Sequence, residues 1–269
     1  MEENMEIETL IEIGTEVRDV ICSYIKENVD YGEMIVQRAK DITRKMDMAA
    51  EHALDDALLA RDLSARIISE ELGDRVVGTQ PGFMLVFDPI DGSTNATCGI
   101  PFFCTSLAYT EKTDVATFDD ISMAVICDIQ GNTYCAEQGK GAFFNGKPIK
   151  NERRGTRLKP VVSVYSYGVP DVPPGLVELG KSLIIRALGS IALDMCYAAD
   201  GTLDGVIDTR GLVSGYDIMA SALILKEAGG RLTDLGGKPV ANDVRVTGLS
   251  IIGTKNSELR DRIVRTLAI

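Results

Sequence analysis

The chain has 269 residues, 45% of them hydrophobic and 25% charged, with a formal net charge of −12. That balance suits a globular protein with a large core. The acid excess argues against a nucleic-acid backbone as the main partner. No apolar run approaches the roughly 20 residues of a membrane span, and the acidic N-terminus lacks the apolar centre of a secretory signal.

Leu10, Ile13, Val17, Ile21 and Tyr24 recur at helical spacing and predict a helix over residues 5–29. Ile42, Met46, Ala49, Ala53 and Ala57 step by three or four and predict a second long helix over 41–70, broken by Gly73-Asp74. His52, the only histidine, falls on it as a surface or partly buried position. A Ser-His-Asp triad or a multi-histidine zinc site would have to rest on that residue alone, so acid–base work falls to carboxylates, hydroxyls and water. Strands are expected at 84–87, 104–110, 121–128 and 132–136. A hairpin is expected around Asn145-Gly146, whose residues accept positive φ. Residues 151–160 read as a polar connector between an N-terminal α+β half (1–150) and a C-terminal α/β half (151–269). In the second half, strands are expected at 161–165, 183–187, 204–208 and 249–253, and helices at 190–199, 217–228 and 257–267. Gly229-Gly230 marks a helix end. The six cysteines contain no Cys-x-x-Cys pair and read as reduced residues of a cytoplasmic protein.

The most informative stretch is Leu85-Val86-Phe87-Asp88-Pro89-Ile90-Asp91-Gly92-Ser93-Thr94. A buried strand ends in a turn that carries two aspartates three residues apart. Carboxylates so placed suit a hard cation, and Gly92 with Ser93 offers N–H groups and a hydroxyl to a phosphate. The chemistry this suggests is metal-assisted hydrolysis of a phosphate ester. Bound cations would also offset the protein's negative field for an anionic substrate.

Asp88-Pro-Ile-Asp91-Gly-Ser resembles the signature of the inositol monophosphatase and fructose-1,6-bisphosphatase superfamily. Ser69-Glu70-Glu71 upstream and Gly215-Tyr216-Asp217-Ile218-Met219-Ala220-Ser221 downstream agree in order and spacing. The resemblance covers nearly the whole chain and is nearest the archaeal branch acting on both substrates. It implies an α+β fold, a layered α-β-α-β-α sandwich of the sugar-phosphatase type, with the active site between the halves. It also implies two or three Mg²⁺ ions (Mn²⁺ as a substitute, Li⁺ as an inhibitor), held by Glu70, Asp88, the Ile90 carbonyl, Asp91 and Asp217. A water activated by Glu70 and oriented by Asp47 and Ser93 would attack phosphorus. A water near Asp217 would protonate the leaving alkoxide. Asp91, Gly92, Ser93, Gly189, Ser190, Ile191, Arg186 and Arg210 would bind a small phosphorylated sugar or polyol. A homodimer, with neither nucleic acid nor membrane as partner, is the family expectation.

Thr43 and Asp47 would share a face if that segment is helical, and Glu71 is expected to be solvated. Tyr216 replaces the family's usual tryptophan. Arg210 replaces a glutamate of the animal inositol enzymes, which favours a second phosphate or a broader sugar-phosphate range. The rivals are a related phosphatase of 3′-phosphoadenosine 5′-phosphate or NADP, and a metal-binding protein without catalysis. A haloacid-dehalogenase-type enzyme needs Asp-x-Asp, which this spacing does not supply.

Overall fold

The structure is a computed structural model and describes residues 5–37, 42–150 and 155–267. Helices α1 (Ile7–Glu27) and α2 (Lys45–Leu59) flank a short hairpin of β1 (Met34–Gln37) and β2 (Ile42–Arg44). An eight-stranded sheet follows, made of β3 (Ala65–Ser69), β4 (Gly73–Val77), β5 (Phe83–Asp91), β6 (Cys104–Thr110), β7 (Met123–Asp128), β8 (Thr133–Glu137), β9 (Gly141–Phe144) and β10 (Lys147–Pro148). The short helix α3 (Ser93–Cys98) joins β5 to β6. The five-stranded sheet contains β11 (Val161–Tyr165), β12 (Ile184–Arg186), β13 (Gly205–Val213), β14 (Arg231–Thr233) and β15 (Leu249–Thr254), in the order β12-β11-β13-β15-β14. Helices α4 (Gly175–Ser182), α5 (Ile191–Asp200), α6 (Gly215–Glu227) and α7 (Ser257–Leu267) complete the second half.

Side-chain alternation stacks these elements into five layers. On β5, Leu85 and Phe87 turn toward α1 and α2, where they meet Ile13 and Leu54. Met84 and Val86 turn the other way and share a core with Met195 of α5 and Leu223 of α6. Both faces of the strand are covered, which is why its sequence is a continuous apolar run rather than an alternation. The same middle core takes in Val206 and Ile251 of the small sheet. Ile207 and Ile252 face outward onto α4 and α7 through Leu176, Leu179, Leu259 and Ile263. The result is the α-β-α-β-α sandwich that the motifs imply. Helix α6 is buried on nearly every side because it lies between two sheets.

The expected helix over 41–70 is overturned. It spans only 45–59, and 65–69 is a strand buried along most of its length. Arg61 to Ser64 turn the chain, with Asp62 at φ 54°. Ala-Arg-Ile-Ile-Ser then enters the sheet, because a buried strand carries no periodicity that separates it from a helix. Thr43 accordingly lies on β2 and not on a helical face with Asp47. His52 is exposed on α2. The hairpin turn carries Asn145 and Gly146 at φ 49° and 72°. All six cysteines are free thiols, four of them buried. Of the expected connector, residues 151–154 lie outside the described residues, while 155–160 are irregular. Among the described residues no helix is long and apolar enough to cross a membrane.

Candidate metal centre and active site

Strand β5 runs parallel to β3 and antiparallel to β6. Its register on β6 shifts between Asp88, opposite Ser106, and Asp91, opposite Cys104. This irregularity carries both aspartates to the same end of the sheet. Glu70 follows β3 directly and donates its N–H to the Phe87 carbonyl at 3.2 Å, which sets it beside Asp88. Asp217 comes from the first turn of α6. One of its carboxylate oxygens accepts the Ser214 N–H at 2.6 Å, so the same residue caps its helix and faces the cluster. Carboxylate oxygens of Glu70, Asp88 and Asp217 all lie within 4.8 Å of one another.

These groups, held close together, repel each other. Burial, then the charges of Glu70, Asp91 and Asp217, push the Asp88 carboxyl well above its usual range. Burial pushes Asp217 up to about 8. Asp91 is pushed up to about 6, burial being partly offset by its hydrogen bonds from Ser190 and from backbone N–H groups. Asp88 Oδ1 is buried and has no hydrogen-bond partner among the described residues. An unsatisfied carboxylate oxygen among three more carboxylates is a set of hard oxygen donors, and it fits a divalent ion of the Mg²⁺ type.

Asp91 is fixed from the second half of the chain. Its Oδ2 accepts the Ser190 hydroxyl at 2.5 Å and the Ala192 N–H at 2.7 Å, at the first turn of α5. Gly92 at φ 99° then turns the chain into α3. A Cβ there would lie 3.0 Å from Phe103 Cβ and 3.1 Å from the Gly189 carbonyl, so only glycine fits. The two loops are tied together by Asn95, whose amide donates to the carbonyls of Phe102 and Leu188, each at 2.7 Å.

A cavity of about 320 Å³ opens over these groups. Asp91, Gly92, Ser93, Gly189, Ile191, Arg210 and Asp217 all line it, together with Tyr165 and Tyr167. Ser190 sits beneath, fully buried, as the support of Asp91. Arg210 is aimed by three neighbours. Its guanidinium donates to Asp208 at 2.6 and 3.0 Å, and it lies 4.8 and 5.1 Å from the ring centres of Tyr165 and Tyr167. Arg186 is not brought to this place: it is exposed on the edge strand β12, turned to the Ile185 carbonyl, and does not line the cavity.

Asp47 is buried at the start of α2, accepting the Arg44 N–H at 2.7 Å. The guanidinium of Arg44 donates to the Ser93 hydroxyl at 3.0 Å. Sequence reasoning passed over Arg44, a cation reaching the hydroxyl at the phosphate turn; no motif marked it. Glu71 is buried rather than solvated, as acceptor for the Thr43 hydroxyl. Tyr165 was also missed. Its hydroxyl donates to Asp194 at 2.6 Å and accepts the Gly189 N–H at 3.1 Å. Asp194, fully buried on α5, also takes the Ser163 hydroxyl at 2.5 Å.

Burial pushes Asp194 up to about 7, although the two hydroxyls pull the other way. Its folded pKa exceeds the unfolded value near 3.9, so the native state holds the extra proton between the two. Stability from this group is therefore present at low pH and declines as pH rises through about 7. In the Mg²⁺-saturated protein, Asp194→Asn should flatten the fall of melting temperature between about pH 5 and pH 8. An unchanged slope would show that Asp194 does not titrate there.

The sequence profile of the inositol monophosphatase family matches residues 3–268. This chain belongs to that family. A fructose-1,6-bisphosphatase of Pyrococcus furiosus is 34% identical over 266 residues, covering 97% of each chain. A bifunctional NADP phosphatase/NAD kinase of Methanococcus maripaludis is 31% identical over 82% of this chain, but over only 42% of its own length. Among solved structures, an inositol monophosphatase–fructose 1,6-bisphosphatase superposes with a TM-score of 0.80 at 29% identity, covering 98% of this chain and 100% of that one. In this chain the acidic cluster draws Glu70 from just after β3 and Asp88 from β5, both strands of the large sheet, and Asp217 from the start of α6.

Proposed function

We propose that the protein is a Mg²⁺-dependent phosphomonoesterase of small sugar and polyol phosphates, acting on fructose 1,6-bisphosphate and inositol 1-phosphate. The observation that carries this reading is the Glu70–Asp88–Asp217 cluster at a cavity whose wall bears Arg210. Glu70, Asp88, Asp91, Asp217 and the Ile90 carbonyl would hold the ions. Bound there, divalent cations supply charge neutralisation at the phosphoryl oxygens and a more acidic water.

The chain's own residues do the rest. The N–H groups of Gly92 and Ser93, at the start of α3, hold the phosphate, and Arg44 steadies the Ser93 hydroxyl. Glu70 takes the proton of the attacking water, which Asp47 and Ser93 orient. A water near Asp217 returns a proton to the leaving alkoxide. Gly189 and Ile191 line the sugar side, and Arg210 reaches a second phosphate. The same reading takes Mn²⁺ as a substitute ion, Li⁺ as an inhibitor, a homodimer as the assembly and the cytoplasm as the compartment. The NADP phosphatase reading is kept because two relatives carry that activity in their names.

Phosphate release from inositol 1-phosphate, fructose 1,6-bisphosphate, 3′-phosphoadenosine 5′-phosphate and NADP, side by side with Mg²⁺, decides the substrate. Turnover of the first two supports the proposal; turnover of a nucleotide alone moves the function to the rival. Arg210→Lys keeps the charge against buried Asp208 but loses the planar fork. It should raise KM for fructose 1,6-bisphosphate by about tenfold while changing inositol 1-phosphate less than about threefold. Equal effects on both substrates would remove Arg210 from second-phosphate recognition.

A further inference from the structure

A second cavity, of about 420 Å³, lies on the far side of α6 and shares no lining residue with the catalytic one. Its volume falls in the range of small-molecule sites. Leu223 of α6, Leu232 of β14 and Val240 give it apolar walls. Thr233, 2% exposed, also lines it, and its hydroxyl is buried without a hydrogen-bond partner among the described residues. A buried hydroxyl left unsatisfied is costly, and a ligand's polar atom would relieve it.

The mouth is basic in a protein whose net charge is −12. Arg231 and Arg260 belong both to this cavity and to an adjoining one of about 180 Å³, which Lys255 also lines. Arg260 is engaged with Asp261 at 2.8 Å, and Lys226 with Asp119 at 3.4 Å. Arg231 is exposed and has no ion-pair partner among the described residues. The chain as a whole repels anions, so an anion drawn here must answer to these local cations. The eleven-residue helix α7 begins beside them and adds its positive end.

We propose that this cavity is a second ligand site, taking a small molecule with an aromatic or branched apolar body and one acidic group. The body fills the apolar walls against Leu223 and Leu232, and the acid pairs with Arg231 at the junction of the two cavities.

The test uses the full chain with Mg²⁺ and the fluorescent probe 8-anilinonaphthalene-1-sulfonate, which has an aromatic body and one sulfonate. The expected result is one saturable site per chain, not displaced by inorganic phosphate. Ala222→Trp, which fills the cavity from α6, and Arg231→Glu, which reverses the free cation, should each weaken binding by at least about tenfold. Circular dichroism and unstimulated turnover like wild type would show that the variants fold. Arg231→Glu, at an exposed position, carries the test even if the tryptophan is not accommodated. Binding that both variants leave unchanged, binding displaced by phosphate, or no saturable binding would overturn the proposal. The readout is fluorescence, so it holds or fails whether or not the phosphatase assignment is correct.

Discussion

Asp91→Asn should lower Mg²⁺-dependent phosphate release by about a thousandfold, equivalent to roughly 4 kcal/mol of transition-state stabilisation. The argument starts from how Asp91 is held. One of its oxygens is committed to Ser190 and Ala192, and asparagine can present its carbonyl oxygen to the same two donors. The amide then takes the place of the second oxygen and turns a donor, with no negative charge, toward Asp88 and Asp217. The variant therefore folds, but it has lost a cation ligand and offers N–H where an ion needs an oxygen lone pair. Removing one of several repelling carboxylates should also leave the metal-free variant as stable as wild type, or more so. The check pairs a phosphate-release assay with thermal melting in chelator. His52→Ala serves as control, since the only histidine is exposed and is expected to leave turnover unaltered. Retention of more than about a tenth of the activity in Asp91→Asn would sink the metal-ligand role.

The parts of this site legible in the sequence are those carried by local chemistry. Asp88, Asp91 and Gly92 follow an apolar run in one unbroken segment, and the turn needs glycine whatever the rest of the fold does. In the structure Asp217 serves twice over, as the capping-box acid of α6 and as a member of the acidic cluster. The two roles are compatible, because a carboxylate has two oxygens.

The missed contacts depend on which distant segments meet. Tyr165 looks like the end of an apolar strand, yet its hydroxyl joins Asp194 to Gly189 and its ring carries Arg210. Arg44 falls unmarked inside the helix expected over 41–70, yet it reaches Ser93, 49 residues on. Arg186 is not brought to the cavity, for the complementary reason. An arginine at a plausible sequence position says nothing about whether its strand is an edge or faces the cavity, and β12 is an edge. Glu70 falls at the end of the helix expected over 41–70, whereas in the structure it follows strand β3. Its position comes from β3 running parallel to β5, a pairing that local periodicity does not encode.

Chelation should make the protein's stability fall steeply with pH, and Mg²⁺ should restore it, more strongly the higher the pH. Asp217 is pushed up to about 8 and Asp91 to about 6, with Asp88 raised as well, burial being the largest cause in each. In the unfolded chain these carboxyls titrate near 3.9. Between the two values the native state binds more protons than the unfolded one, so unfolding free energy declines as pH rises. The stability these groups confer is thus complete below about pH 4 and is lost on passing through about 6 for Asp91 and about 8 for Asp217. Each pKa unit is worth about 1.4 kcal/mol, so the loss amounts to several kcal/mol across the window. A divalent cation replaces those protons with a charge the carboxylates can ionise against, and binding to the native state alone adds stability by mass action. At 2–4 °C per kcal/mol for a chain of roughly this size, Mg²⁺ should raise the melting temperature by on the order of ten degrees near pH 8 and by much less near pH 5. Melting curves with chelator and with Mg²⁺ across that range provide the check. A Mg²⁺ gain that is flat with pH would mean that these three carboxylates are not the groups that hold the ion. A gain that grows with pH and disappears in Asp217→Asn would tie it to the cluster between β5 and α6.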